Sequence, residues 1–212
     1  GHYSTARDIA LLSMRLIQEF PEQYRYYSMK DYRYNNIQQK NSNRLLWLDP
    51  NVDGMKTGQT AAAGYCLVAS AKRGERRMLT VVLGSTSAAT RVQDSQKLLN
   101  HGFLNYDDVR LFEKGQTVKN LPVWKGGGNE IHAGVNEDFY VSVPRGAAQR
   151  ISTELVSRQP LFAPIAAGQT VGTLRISLDD KPLREYPLVA LKGVEVAGWF
   201  GRAWDTMRLW MK

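Results

Sequence analysis

Three consecutive residues, Lys56, Thr57 and Gly58, carry groups that an acyl-transfer site uses to bind a peptide. Glycine lets a ligand backbone come close because it has no side chain. The threonine hydroxyl can donate to a carboxylate or a carbonyl, and the lysine ammonium attracts an anionic terminus and eases deprotonation of a nearby nucleophile. The backbone N–H of Gln59 can serve as an oxyanion donor. This segment predicts part of an acyl-transfer site on a strand.

The nucleophile of such a site is absent from the sequence. No serine among the 212 residues is followed by lysine three positions later. A match of three residues is also weak by itself, because Lys56, Thr57 and Gly58 would fit the solvent-facing end of an ordinary strand. The residues alone leave both interpretations open.

Composition limits the classes of partner and cofactor. The 28 Lys and Arg residues exceed the 20 Asp and Glu residues and give a net charge of +8, which favours anionic partners. The basic residues are spread along the chain without a nucleic-acid-binding motif, so we expect no nucleic-acid partner. Three widely spaced histidines and the single Cys66 predict no metal site and no cofactor, and Cys66 reads as a packed strand residue.

Residues 1–108 read as helices around an antiparallel sheet. Thr5 and Asp8 form a capping-box pattern at the start of a helix predicted over Thr5–Phe20. The region between Tyr24 and Asn43 predicts a short strand or an extended loop. The further predicted elements are strands at Met55–Thr60, Tyr65–Ala71 and Met78–Leu83 and a helix over Thr86–Asn100 that ends before Gly102.

Residues 109–197 change to short strand-like runs separated by glycine and proline, which predicts a small all-β domain. The predicted strands are Leu121–Trp124, Phe139–Val143, Ile151–Val156, Val171–Leu178 and Tyr186–Leu191. The fold class is therefore α+β.

The segment 198–212 predicts an amphipathic membrane-anchor helix. An arc of roughly 140° on its helical wheel is apolar and rich in tryptophan. The residues assigned to the anchor are Trp199, Phe200, Trp204, Met207, Trp210 and Met211. A helix of this length reaches only about 22 Å, so it would lie in the membrane surface with its basic face toward anionic lipid. A terminal helix docked on its own domain is the alternative. The sequence shows no signal-peptide pattern and no apolar run long enough to span a bilayer.

Several segments together resemble the D-alanyl-D-alanine carboxypeptidases, the low-molecular-mass penicillin-binding proteins, and most closely the group of penicillin-binding proteins 5, 6 and 6b. The similarity extends over essentially the whole chain. The segments that carry it are Tyr3–Ala10, Leu45–Trp47, Asn51–Gly58, Ala63–Ala71, Pro144–Gly146 and Pro187–Val189.

The resemblance implies a penicillin-recognising, serine β-lactamase-like α/β domain, a β-rich domain and a terminal amphipathic anchor. It implies that Lys56, Thr57 and Gly58 are the third active-site motif, that Gln59 supplies the oxyanion N–H, and that Arg91 helps to hold the terminal carboxylate of the substrate. The implied activity is removal of the terminal D-Ala from peptidoglycan pentapeptides through an acyl-enzyme, at the periplasmic face of the bacterial inner membrane. The implied partners are stem peptides ending in D-Ala-D-Ala, β-lactams and an anionic membrane surface, and the oligomeric state stays open.

The sequence departs from the family pattern in two respects. Gln59 stands where the family usually has histidine, and the Ser-x-x-Lys and Ser-x-Asn motifs are absent. We therefore expect this chain to be inactive by itself, as the C-terminal portion of a cell-wall hydrolase. The alternative hypothesis is a non-catalytic, membrane-associated module that binds a peptide or a partner without turnover.

We predict that deleting residues 198–212 abolishes binding to anionic lipid vesicles, because the tryptophan-rich face and the basic face are lost together. Flotation of the intact and shortened chains with vesicles measures this. Equal flotation of both chains would rule out the anchor.

Overall fold

The computed structural model describes residues 3–157 and 159–198. The chain divides after Tyr106 into two compact units. The anchor residues predicted at Trp199, Phe200, Trp204, Met207, Trp210 and Met211 lie outside the described residues, so that helix stays a prediction. Within the described ranges, no helix has the length and apolarity that crossing a membrane requires.

The first unit contains four α-helices, a hairpin and a three-stranded sheet. In chain order the elements are α1 (Ala6–Glu19), α2 (Pro21–Tyr24), β1 (Asp31–Tyr34), β2 (Ile37–Lys40), α3 (Leu45–Leu48), β3 (Val52–Thr60), β4 (Gly64–Arg73), β5 (Arg76–Ser85) and α4 (Ala88–Asn105). The sheet is an antiparallel meander in the order β3-β4-β5. The predicted meander is confirmed, and each strand is longer than its apolar run because ladder hydrogen bonds continue into the polar flanks.

Helix α1 begins as predicted. The Thr5 side chain accepts from the Asp8 N–H, and the Asp8 side chain accepts from the Thr5 N–H, which completes the capping box. The apolar side chains of α1 are only partly covered, since Leu12 is 65% exposed and Phe20 is 51% exposed. Ser13 is the buried residue of this helix.

Helix α4 differs from its prediction at the C-terminal end. Ser87 caps its start by accepting from the Thr90 N–H, but the helix continues through Gly102 to Asn105. A Cβ at Gly102 would lie 3.1 Å from the Met78 sulfur. Gly102 is therefore a close-packing position inside the helix, and reading it as a helix stop was wrong.

The segment between the first helices and β3 contains the short hairpin β1–β2. Its turn residues Asn35 and Asn36 both have positive φ, of 48° and 61°, which asparagine tolerates better than most residues. Both strands of the hairpin are exposed.

One face of the three-stranded sheet packs on α4. Leu67, Ala69 and Ala71 project from alternate positions of β4 and form a core with Leu99 and Phe103. Apolar residues therefore repeat every two positions along the strand and about every 3.6 positions along the helix. Both repeats can be recognised in the sequence.

The described residues of the second unit lie mostly in strands. They are β6 (Tyr106–Phe112), β7 (Thr117–Trp124), β8 (Glu130–Gly134), β9 (Phe139–Pro144), β10 (Ile151–Val156), β11 (Leu161–Phe162), β12 (Thr170–Leu178) and β13 (Lys181–Ala190). A six-stranded sheet has the order β10-β12-β13-β8-β7-β11, and β6 pairs with β9. The strands β6, β8 and β11 were not predicted from the sequence, because they are short or lack a clear apolar alternation.

The core of the second unit is apolar with one tyrosine at its margin. Leu174, Ile176 and Leu188 are almost fully buried there. Tyr186 packs against Phe139 and donates to Glu137. Burial raises the pKa of Tyr186 to about 12, so the phenol stays protonated and remains a donor at neutral pH.

The turn before β3 is held by a buried carboxylate. Asp49 is 8% exposed and accepts from the Asn51 N–H and side-chain amide and from Arg73, each at 2.9 Å. Burial opposes ionisation of Asp49, but these donors outweigh it and lower its pKa. A lowered pKa in the folded state means that the charged carboxylate stabilises the fold above the unfolded pKa and that this contribution is lost as the pH falls through the folded pKa.

We predict that D49N lowers the free energy of unfolding at pH 7 by roughly 1–2 kcal/mol, because all three donors lose a charged acceptor and only one neutral oxygen remains. The difference from wild type should shrink as the pH falls below about 4. Urea denaturation at several pH values measures this. E19Q, which removes an exposed ion pair with Arg15, is the matched control and should have little effect at any pH. A D49N effect that persists unchanged at acid pH would contradict the prediction.

Candidate active site

The strand β3 brings Lys56, Thr57 and Gly58 to an open edge of the sheet. β4 pairs with one edge of β3, and no strand of the described residues pairs with the other. Lys56 and Gly58 are exposed, and Thr57 is half-buried. An extended peptide can therefore reach backbone groups along this edge.

These three residues also line a cavity of about 340 Å³. Its remaining wall is mostly apolar and comes from α1 and the neighbouring strands. The apolar lining residues are Ile9, Leu12, Leu16, Met55, Leu67, Val68 and Leu83. The predicted motif thus borders a concave, largely apolar space, and the interpretation as an ordinary solvent-facing strand end is weakened.

Lys56 has no carboxylate partner among residues 3–157 and 159–198. Its Nζ donates to the Thr57 carbonyl at 2.6 Å. Because no described acidic group neutralises it, its positive charge is available to an anionic ligand or a developing oxyanion. The Gln59 residue is exposed and pairs with Tyr65 of β4. Its assignment as an oxyanion donor stays a prediction.

Arg91 lies behind the strand, where it supports the motif from α4. Its Nη1 donates to the Gly58 carbonyl at 3.2 Å and to the Cys66 carbonyl at 3.3 Å. The guanidinium also lies over the Tyr65 ring, 5.6 Å from its centroid. Arg91 is only 8% exposed, so it is not a solvated charge on the helix surface. Its predicted contact with a substrate carboxylate stays a prediction.

Cys66 is half-buried on β4 directly opposite Gly58. Its sulfur contacts the Ala63 carbonyl at 3.4 Å. A Cβ at Gly58 would lie 4.0 Å from the Cys66 Cβ, an ordinary contact. The space over Gly58 is therefore open, as close approach of a ligand requires.

A partly buried polar network fixes the start of β3, and it was not predicted from the sequence. Asp53 receives a bidentate pair from Arg77 at 2.7 and 2.8 Å and a hydrogen bond from the Tyr24 hydroxyl at 2.8 Å. Arg77 also donates to the buried Ser70 at 2.7 Å. Burial raises the pKa of Tyr24 above its ordinary value, so this phenol keeps the proton that it donates.

Asn43 completes this network, which we call the β3 clamp: Tyr24, Asn43, Asp53, Ser70 and Arg77. The Asn43 side chain is fully buried, and its amide donates to the Gly54 carbonyl at 2.9 Å. Its side-chain oxygen accepts from the Leu45 N–H at 3.2 Å. The clamp contacts β3 only two to three residues before Lys56. The one sequence signal for it was the Asp53-Gly54 pair preceding the motif.

Gly54 has a steric role in the clamp. A Cβ at this position would lie 2.4 Å from the Tyr24 hydroxyl oxygen.

Within residues 3–157 and 159–198, no cluster of three or more His, Cys, Asp or Glu side chains is suited to hold a metal ion.

Comparisons with known proteins match both units. The family described as D-alanyl-D-alanine carboxypeptidase matches residues 1–87, and the family described as penicillin-binding protein 5, C-terminal domain, matches residues 106–196. The chain is 42% identical over 207 residues to the D-alanyl-D-alanine carboxypeptidase DacC of Escherichia coli. This alignment covers 97% of this chain and 52% of that protein. The chain is 38% identical over 211 residues to DacA of the same organism, covering 99% of this chain and 52% of that protein.

A solved structure agrees with these matches. Penicillin-binding protein 5 from Haemophilus influenzae superimposes with a TM-score of 0.82 at 36% identity, over 92% of this chain and 57% of that one. The chain therefore spans about half the length of the curated relatives it matches.

We predict that G54A destabilises the first unit by roughly 1–3 kcal/mol, because the new methyl group displaces Tyr24 from Asp53. G58A is the matched control on the same strand and should change stability by well under that amount. Urea denaturation measures both. In a Y24F background the cost of G54A should fall, because the closest atom is gone. Equal costs for G54A and G58A would refute a steric role for Gly54.

Proposed function

Since this chain belongs to the D-alanyl-D-alanine carboxypeptidase family, in the group of penicillin-binding proteins 5 and 6, we propose that it supplies the peptide-binding strand of a serine-type D-Ala-D-Ala carboxypeptidase. The reaction removes the terminal D-Ala from peptidoglycan pentapeptides through an acyl-enzyme. The observation that carries the proposal is the placement of Lys56, Thr57 and Gly58 on the unpaired edge of β3, beside a cavity.

The strand edge suits a peptide that ends in a carboxylate. The peptide backbone pairs along β3 and approaches Gly58 closely. The Thr57 hydroxyl donates to the terminal carboxylate, and the Lys56 ammonium stabilises the same negative charge. In this proposal the Gln59 N–H donates to the carbonyl oxygen of the scissile bond as it becomes an oxyanion.

The covalent step requires a serine nucleophile and a general base. The serine oxygen attacks the carbonyl of the penultimate D-Ala, its proton passes through the base to the departing amine, and water then releases the acyl group. No Ser-x-x-Lys or Ser-x-Asn motif is present in these 212 residues. The proposed role of this chain is therefore substrate binding and charge stabilisation, and these groups alone leave little turnover.

Arg91 has a positioning role in this proposal. Its two hydrogen bonds to carbonyls of β3 and β4 fix the Gly58 backbone relative to the neighbouring strand. A positive charge directly behind Gly58 also favours a carboxylate in front of it. Both effects act on the carboxylate end of the peptide.

The location proposed for the chain is the periplasmic face of the bacterial inner membrane. The basic, tryptophan-rich segment 198–212 supports attachment to an anionic surface. β-Lactams are proposed ligands of the complete site, because the related proteins are named penicillin-binding proteins.

A non-catalytic peptide-binding module is the second candidate. It is favoured by the open strand edge together with the missing serine motifs. The two candidates share the binding step and differ in whether a complete site turns the peptide over.

We predict that acetyl-D-Ala-D-Ala perturbs the amide resonances of Thr57, Gly58 and Gln59 in an NMR titration. K56Q should weaken this binding about tenfold, because a charge-assisted contact to the carboxylate is lost. K72Q, on the neighbouring strand and ion-paired with Glu75, is the matched control and should leave the affinity unchanged.

Labelled penicillin should form no covalent adduct with this chain by itself. An adduct on any of its serines would contradict the assigned role, and perturbation of the β3 amides that does not depend on Lys56 would contradict the site.

A further inference from the structure

A second cavity of the first unit shares no lining residue with the apolar cavity beside the motif. Its volume is about 900 Å³, and it is formed by residues that follow β2, by α3 and by the start of α4. Three cationic residues, Lys40, Arg44 and Arg91, contribute to its wall. The described residues that line it include no aspartate or glutamate. We call this space the basic cavity.

The described residues provide no carboxylate partner for the cations of the basic cavity. Lys40 and Arg44 are exposed, and neither forms an ion pair with any residue in the described ranges. Arg91 is buried, and its hydrogen bonds to the described residues come from Nη1. Its Nε is buried without a hydrogen-bond partner. Such a buried donor is costly unless a ligand or water accepts its hydrogen.

The first turn of α4 contributes to the same wall. Ala88 and Ala89 are its first two helical residues, and both line the cavity. The Ser87 cap binds the Thr90 N–H, which leaves the N–H groups of Ala88 and Ala89 without an acceptor in the described part of the chain. The start of an 18-residue helix also carries a partial positive charge. These donors and the three cations favour an oxyanion.

Trp47 adds an apolar wall. It lines the basic cavity and is 45% exposed. A ligand with an anionic group and a carbon body therefore fits better than a bare inorganic ion, because both parts find complementary surface.

We propose that the basic cavity binds the side-chain carboxylate of an acidic residue in the peptide ligand. The identity of the ligand as a peptide rests on the proposed function, whereas the preference for a carboxylate rests on the cations and the start of α4. Arg91 links the two places, since it lines the cavity and donates to the Gly58 carbonyl. An acidic peptide residue held there lies beside Arg91, which also contacts the backbone of the strand that holds the peptide terminus.

The test is an NMR titration of the full chain with N-acetylglutamate, with its uncharged diamide and with inorganic phosphate. N-Acetylglutamate should shift the amide resonances of Ala88 and Ala89, and the diamide should not. R44Q and K40Q should each weaken binding about fivefold, as expected for loss of one partly exposed charged contact. K97Q, a matched charge removal farther along α4, should have no effect.

The outcomes separate this proposal from the proposed function. No shift at Ala88 and Ala89, or a shift that R44Q and K40Q leave unchanged, would overturn the site. Tighter binding of phosphate than of N-acetylglutamate would overturn the assignment to a peptide carboxylate. The β3 assignment is tested separately, by the amide shifts of Thr57, Gly58 and Gln59 on addition of acetyl-D-Ala-D-Ala. If these shifts are absent, the β3 assignment fails and the basic cavity is unaffected.

Discussion

The ion pair between Asp53 and Arg77 and its hydrogen-bonded neighbours determine where β3 begins. Arg77 binds both carboxylate oxygens of Asp53, the Tyr24 hydroxyl binds the same carboxylate, and Asn43 holds the next carbonyl. Each of these partners comes from a different element of the first unit. Because the charged groups are paired and the amide is satisfied, the network fixes one geometry for the strand. Lys56, Thr57 and Gly58 follow on the same strand, so the network also fixes the position of their backbone.

The open edge of β3 has a different physical character from its start. The clamp satisfies the polar groups that are buried at the beginning of the strand, whereas the outer edge presents backbone groups for which the described residues provide no strand partner. Exposed strand edges favour pairing with another extended chain. The start of β3 is therefore held in place, while its outer edge keeps backbone groups available for pairing. A peptide-binding site requires both properties.

Three cations of the first unit have no carboxylate partner among the described residues. Lys56 lies on the strand itself, Arg91 lies behind it, and Arg44 lines the cavity near the start of α4. The net charge of +8 gave only a general preference for anions. The structure shows where anions can bind, since the guanidinium of Arg91 donates to the strand backbone and Arg91 also lines the basic cavity.

The sequence by itself determined the features that depend on neighbouring residues. The capping box at Thr5, the alternation along β4, the strand Ile151–Val156 and the Lys56–Gly58 segment were all readable because capping and strand periodicity are local. Family membership followed from the same local segments. The tertiary structure alone decided that Tyr24 meets Asp53, 29 positions away, that Arg91 lies under Gly58, 33 positions away, and that Gly102 packs on Met78. These contacts depend on strand register and on helix packing between distant segments, and local periodicity does not encode either one.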